Sequence, residues 1–278
     1  MARIDSFLRL VVEQKASDLH FPAGSSPIIR LDGNLIPLPF RRLSDLEARR
    51  FIFEILSPEQ RRALETDKDL DFLYELEGIA RFRGNAFIQS KGLGAVFRII
   101  PLEIPTMAEL ELPPAVKRLT ELTNGLVLVT GPTGSGKTTT LAALVHEINA
   151  TSQRHIITIE DPIEFVHEPI KSLITQREVG VHAWTFASAL RSALRESPDV
   201  VVIGELRDLE TVSLALSAAE TGVLVFGTLH TNSAAKSVHR IIDIMPDERR
   251  DQMRAVISVL LRGVLAQHLC MRSGGEAA

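Results

Sequence analysis

The run Leu126-Val127-Leu128-Val129-Thr130, continuing into Gly131-Pro132-Thr133-Gly134-Ser135-Gly136-Lys137-Thr138-Thr139, decides the fold. A short, continuous apolar run reads as a strand covered on both faces. Residues 131–138 fit GxxxxGK[ST], a glycine-rich turn opening a helix near Thr138. Glycines let successive backbone N–H groups turn towards phosphate oxygens, and the helix N-terminus adds the positive end of its dipole. Lys137 then meets the terminal phosphates, and Thr138 offers its hydroxyl to Mg²⁺. By composition a chance match arises in roughly one random chain of this length in a hundred. The strand before and the helix after it weigh against a mere glycine-rich turn.

Downstream, three more apolar runs (156–159, 200–203 and 224–228) alternate with helical patterns, the sequence form of a parallel sheet with crossover helices. Ligands in such sheets sit at the carboxyl ends of the strands. The first run ends in Glu160-Asp161-Pro162-Ile163-Glu164, the second in Gly204-Glu205, the third in Leu229-His230-Thr231. A carboxylate after an apolar strand is the Walker B arrangement, placed to hold Mg²⁺ or to orient the attacking water. For His230, position alone does not separate a structural role from a functional one.

Upstream the pattern is α+β. Ile4, Phe7, Leu8, Val11 and Val12 repeat at helical spacing, and runs 28–31 and 35–38 flank the turn Asp32-Gly33-Asn34. Two helical stretches come next, the second capped by Ser57 with Gln60 reaching back, and then strands at 70–76, 80–89 and 95–100. Arg81, Arg83 and Asn85 alternate with Phe82, Gly84 and Ala86, giving one basic strand face, and Arg98 ends a similar run. Guanidinium forks suit phosphate, although a solvated strand face has the same composition. Arg191 and Arg195 share a helix face, where compensation of the helix C-terminus is the plain explanation. Pro101, Pro105, Pro113 and Pro114 mark a linker, so the expected domains are 1–101 and 114–278, joined by 102–113.

Composition sets the outer limits. With 278 residues, two domains are expected. The 31 basic against 35 acidic residues leave a net charge of −4, which speaks against a nucleic-acid partner. A single cysteine, Cys270, excludes an internal disulfide and a paired-cysteine zinc site. Glu13, Gln14 and Lys15 interrupt any signal-peptide core, and Arg262 splits the best late apolar run, so no transmembrane segment and a cytoplasmic location are expected.

Four segments together resemble one family. GPTGSGKTTT (131–140), ITIEDPIEFVH (157–167), PDVVVIGELRDLETVSLALSAAETG (198–222) and LVFGTLHTNSAAKS (224–237) are similar to the Walker A, Asp box, Walker B and His box of the type II/IV secretion ATPases. Their wording is most similar to the type IV pilus retraction (twitching motility) ATPases. SDLHFPAGSSPIIRLDG (17–33) and ARFRGNAFIQ (80–89) resemble that family's PAS-like N-terminal domain. The resemblance implies a RecA-like P-loop NTPase core, a homo-oligomeric ring of six, ATP with Mg²⁺ at subunit interfaces, and action on an inner-membrane pilus platform protein. Paralogous pilus ATPases are further implied partners, and the site is peripheral at the inner membrane.

Carried over by motif, residues 131–139 cradle the nucleotide, and Thr138 and Glu205 hold the metal. Glu164 orients water with support from Glu160 and Asp161, and His230 is the second His-box histidine. Arg81, Arg83 and Arg98 fall where the family draws interface arginines that stabilise phosphate charge. Two departures stand out. Val223 replaces the first His-box histidine, which bears on turnover. Residues 263–269 read as a strand followed by the turn Ser273-Gly274-Gly275, without the family's returning strand and C-terminal helices. An unpaired edge there predicts weaker folding or ring assembly. Two other readings stay open: an ATP-binding, weakly or non-hydrolysing regulatory paralogue, and a pilus assembly or type II secretion ATPase. The latter often carry a tetracysteine insert that one cysteine cannot supply.

Overall fold

In the first hundred positions, three segments of helical spacing accompany strands such as Ala80–Gln89, where apolar and polar residues alternate and the apolar face is covered. A computed structural model describes residues 2–270 except 32 and 101. Asp32, Pro101 and the turn 273–275 therefore lie outside the described residues. Contacts divide the chain into units Met1–Leu102 and Glu103–Ala278.

In the first unit the order is α1 (Asp5–Glu13), β1 (Asp18–Pro22), β2 (Ile28–Leu31), β3 (Asn34–Pro37), α2 (Asp45–Phe53), α3 (Pro58–Asp67), β4 (Asp69–Leu76), β5 (Ala80–Gln89) and β6 (Gly92–Ile100). The strands form one sheet in the order β3-β2-β1-β6-β5-β4, antiparallel throughout. Reciprocal capping boxes start α2 (Ser44 with Glu47) and α3 (Ser57 with Gln60), satisfying N–H groups that a helix leaves orphaned. Leu8 and Val11 of α1, Ile52 of α2 and Leu64 of α3 bury against Phe21, Phe82 and Phe97 of the sheet. Strand β1 was not expected: its alternation of Asp18 and His20 with Leu19 and Phe21 is short and runs straight into Pro22 and Gly24. Pairing with β2 on one side and β6 on the other makes it a central strand.

In the second unit, α4 (Pro114–Thr120) precedes β7 (Gly125–Thr130), α5 (Lys137–Thr151), β8 (His155–Glu160), β9 (Leu173–Glu178), α6 (Phe186–Ala193), β10 (Val200–Ile203), α7 (Leu209–Glu220), β11 (Leu224–Leu229), α8 (Ala234–Asp243), α9 (Arg250–Leu260) and β12 (Leu261–Ala266). Every pairing in the sheet is parallel, in the order β12-β7-β11-β10-β8-β9. Leu126 and Leu128 of β7 enter a core with residues of α6, α7, α8 and α9. Val127 and Val129, one residue out of phase, enter a second core with Leu141, Leu144, Val145 and Ile148 of α5. Two cores, one per face, explain why the strand is apolar at every position.

Three local findings differ from expectation. Strand β9, reading Leu-Ile-Thr-Gln-Arg-Glu, was not anticipated; as an edge strand paired only to β8 it needs no continuous apolar run. Strand β12 starts and ends earlier than 263–269 and pairs with β7, so its inner edge is satisfied. Arg191 ends α6 in an ion pair with Glu210, as a helix C-terminal charge, whereas Arg195 falls beyond the helix. Among the described residues, no helix is long and apolar enough to cross a membrane.

Packing at Gly84 gives a direct test of the first core. A Cβ there would lie 2.4 Å from Cζ of Phe72, whose ring stacks edge-on against Phe97 with centroids 5.9 Å apart. Gly84→Ala should destabilise the first unit by about 1–3 kcal/mol, read as a lower urea midpoint. Adding Phe72→Leu should recover part of that loss.

Candidate functional site

Parallel pairing brings the carboxyl ends of β7, β11, β10 and β8 to one edge. In register, Thr130 stands beside Leu229 and Ile203 beside both Gly227 and Ile159. Just past these ends lie the phosphate loop, His230, Glu205 and the segment after Glu160. Strand β11 lies between β7 and β10, so two strand spacings, about 10 Å, separate the phosphate-loop strand from the strand of Glu205.

The loop from Gly131 to Gly136 turns on glycines at positive φ: 154° at Gly131, 77° at Gly134 and 83° at Gly136. Gly131 has no room for a side chain, since a Cβ would sit 2.4 Å from Ser135 Oγ and 2.5 Å from the Gln267 carbonyl. At Gly134 and Gly136 the space where a Cβ would stand is open. Gly136 caps α5 in the left-handed conformation, leaving the first N–H groups of the helix directed to this opening. Ser135 Oγ is buried without a hydrogen-bond partner among the described residues. Open glycine faces, an orphaned hydroxyl, and Lys137 with Thr138 and Thr139 at the start of α5 fit a polyphosphate and its cation. Lys137 Nζ donates to the carbonyls of Gly131 and Pro132, each at 2.9 Å. Burial lowers its pKa, and the charge of Glu205 opposes that, so the two groups share one field.

Glu205 follows β10 and accepts from Arg207 Nη2 at 2.7 Å, with His230 Nε2 at 3.3 Å from the same Oε2. Burial alone would raise its pKa; Arg207 and His230 outweigh burial and hold the carboxyl below its ordinary value. Arg207 was missed by the sequence reading, since an arginine two places after an acid carries no pattern of its own. The turn after β10 is fastened to β11: Leu206 N donates to the Thr228 carbonyl at 3.0 Å, and Thr228 Oγ1 donates to the Gly204 carbonyl. Buried Ser237 of α8 joins Thr231 Oγ1 at 2.6 Å and Thr130 Oγ1 at 3.3 Å, tying the ends of β7 and β11 together. Val223, by contrast, packs in the core before the amino end of β11. The length of β11, about 20 Å, separates it from His230 at the carboxyl end.

Glu164 lies in the segment after β8, half-buried between buried Ile163 and Phe165. Glu160, at the end of β8, accepts from Thr158 Oγ1 at 2.6 Å and Gln176 Nε2 at 3.1 Å. Burial raises its pKa, and the charge of Glu164 adds to the rise; bonds from Thr158, Gln176 and the Glu164 N–H pull the other way. Gln176 and Glu178 of β9, both absent from the sequence reading, hold this segment. Asp161 lies within the same segment and is exposed.

Arg81, Arg83 and Arg98 belong to the first unit, on the sheet face opposite its core. Arg83 and Arg98 are directly paired across β5 and β6. Arg98 Nε binds Asp18 Oδ1 at 2.8 Å, and Asp18, nearly buried, also has Arg30 Nε at 3.6 Å. Arg81 Nε stands 3.3 Å from Glu75 Oε2, while Arg83 is exposed.

His167, at the end of the Glu164 segment, gives a pH test. Its ring is buried, and desolvation, aided by His146, depresses its pKa from 6.5 to about 4. The unfolded chain takes up this proton first as pH falls, so the stabilisation is complete above 6.5 and is lost towards pH 4. The shift corresponds to about 3 kcal/mol. Urea melts at pH 7.5, 6 and 5 should show the wild type losing stability relative to His167→Gln across this window.

Comparison with known proteins agrees with this geometry. The family model described as "Type II/IV secretion system protein" matches residues 2–275. The type IV pilus retraction ATPase PilT of Pseudomonas aeruginosa is 50% identical over 98% of this chain and 79% of its own length. A twitching motility protein of Neisseria gonorrhoeae is 46% identical over 98% of this chain and 72% of its own. A crystal structure of the pilus retraction motor PilT with bound ADP superposes with a TM-score of 0.94 at 46% identity, covering 100% of this chain and 81% of that one. With the matched model spanning both units, the chain belongs to the type II/IV secretion system protein family.

Proposed function

We propose that this chain is an ATP-hydrolysing motor that drives type IV pilus retraction and twitching motility. The observation that carries the reading is the meeting, at one sheet edge, of the phosphate loop, Glu205 and His230, with Lys137 inside the field of Glu205. Similarity to a retraction motor whose structure holds ADP supports nucleotide as the ligand.

The backbone N–H groups of residues 131–136 and the N-terminus of α5 cradle the phosphates, with Lys137 moving from the loop carbonyls to the terminal ones. Thr138 and Glu205 would hold Mg²⁺, which supplies charge neutralisation on the phosphate oxygens. Glu205 suits this task because Arg207 and His230 keep it ionised. Glu164 orients the attacking water, and Arg81, Arg83 and Arg98, contributed by a neighbouring subunit, offset charge that builds on the γ-phosphate. Sites completed between subunits call for a homo-oligomeric ring, a hexamer on this reading. Its output reaches an inner-membrane pilus platform protein from the cytoplasmic side, where paralogous pilus ATPases also act. Of the two features behind the non-hydrolysing alternative, Val223 packs in the core at the far end of β11 from His230.

Steady-state ATPase activity against protein concentration tests this. Turnover should rise cooperatively with concentration as rings form. Lys137→Ala should lose nucleotide binding and turnover together, whereas Glu205→Gln should still bind nucleotide with turnover down about 10²-fold or more. Undiminished turnover in Glu205→Gln, or binding without turnover in the unmodified chain, would overturn the reading.

A further inference from the structure

The segment that carries Glu164 is not a strand or a helix, yet its backbone is held at several points by two side chains of one edge strand. His167 N donates to Gln176 Oε1 at 2.8 Å, and Gln176 Nε2 donates to the Phe165 carbonyl at 2.9 Å. The same amide nitrogen reaches Glu160 Oε1 at 3.1 Å. Two residues along β9, on the same strand face, Glu178 Oε2 accepts from Ile163 N at 3.0 Å. The backbone on both sides of Glu164 is thus bonded to β9. Ile163, Phe165 and His167 are buried at alternate positions, leaving Glu164 half-buried between them.

We propose that Gln176 and Glu178 are positioning residues for Glu164: β9 is a template that gives the segment 161–167 its shape and thereby sets where the Glu164 carboxylate stands. This rests on the reading of Glu164 as the water-orienting group. The physical argument is one of satisfaction. A backbone outside regular structure must find partners for its buried N–H and C=O groups elsewhere, and here the amide of Gln176 supplies a donor and an acceptor at once. Glutamine suits this position because a carboxylate could accept from His167 N but could not donate to the Phe165 carbonyl. Glutamate suffices at 178, where only acceptance is required. The far end of the connection is tied independently to the phosphate-loop helix, since Asn149 of α5 donates to the Glu168 carbonyl at 2.8 Å and accepts from Ile170 N at 2.9 Å. Template and helix therefore hold opposite ends of the connection between β8 and β9.

Two measurements on the full chain test the proposal. In hydrogen–deuterium exchange without nucleotide, Gln176→Leu should speed exchange in the peptide containing His167, and Glu178→Ala in that containing Ile163, with the rest of the sheet unchanged. In steady-state assays both variants should lose about 10²-fold in kcat, the scale expected when a reacting group is misplaced by an ångström. Their affinity for a fluorescent ATP analogue should stay within about twofold of the wild type. Glu178→Gln, which keeps an acceptor for Ile163 N, should restore kcat, a rescue that a purely charge-based role would not allow. If Gln176→Leu fails to fold, the Glu178→Ala and Glu178→Gln pair decides the matter alone. Unchanged exchange in 161–167, unchanged kcat, or affinity falling in step with kcat would overturn the template. Full turnover in Glu164→Gln would instead overturn the role of Glu164, while the exchange result would still report on the template.

Discussion

Parallel pairing in the second sheet is the constraint on which the site depends. Parallel neighbours cannot be joined by tight turns, so each strand is followed by a crossover that lays a helix or a long connection over the sheet. Both faces are then covered, strand interiors must be apolar, and polar chemistry is confined to strand ends. Since all the strands run one way, their carboxyl ends share an edge. Lys137, Glu205, His230 and Glu160 come from segments up to 93 residues apart, yet each follows or ends such a strand. Inserting β11 between β7 and β10 spaces the phosphate loop from Glu205 while leaving both on the same edge.

At that edge, two carboxylates of similar sequence setting acquire opposite character. Glu205 is desolvated but answered by Arg207 and His230, and its pKa falls; Glu160 is desolvated with only neutral donors and the like charge of Glu164 beside it, and its pKa rises. Pushing neighbouring acids apart in this way divides their roles. Glu205 stays a charge that can face a cation. Glu160 serves as an anchor for Thr158, Gln176 and the Glu164 backbone. In the first unit a different balance holds, where a nearly buried Asp18 shares its charge between Arg98 and Arg30. There the guanidinium of Arg98 is oriented by an acid from the adjacent strand, β1.

Much of this was legible in the order of residues. GxxxxGKT needs no partner to be recognised, because its glycines and lysine act through their own backbone and reach. The strands β7, β8, β10 and β11 were legible because two cores, one on each face, demand a nearly continuous apolar run. Helix α3 announced itself through the cap of Ser57 and Gln60, and β5 through its alternation of arginines with Phe82, Gly84 and Ala86. In each case the signal lies within a few consecutive residues, where covalent spacing alone sets the geometry.

Tertiary structure decided the rest. Strand β1 is central only because β2 and β6 close on it, and β9 exists because β8 supplies its single ladder. Gln176, Glu178 and Arg207 act through partners 2 to 16 residues away, by bonds to backbone or to one carboxylate, which leave no periodic trace. Val223 looked like a change within the site by its place in a motif, but a strand's length separates it from the chemistry. The sequence by itself determined which groups could bind a phosphate and which strands must be buried. Only the fold determined which side chains hold those groups in place, because a hydrogen bond depends on distance in space, and residue order does not encode that distance directly.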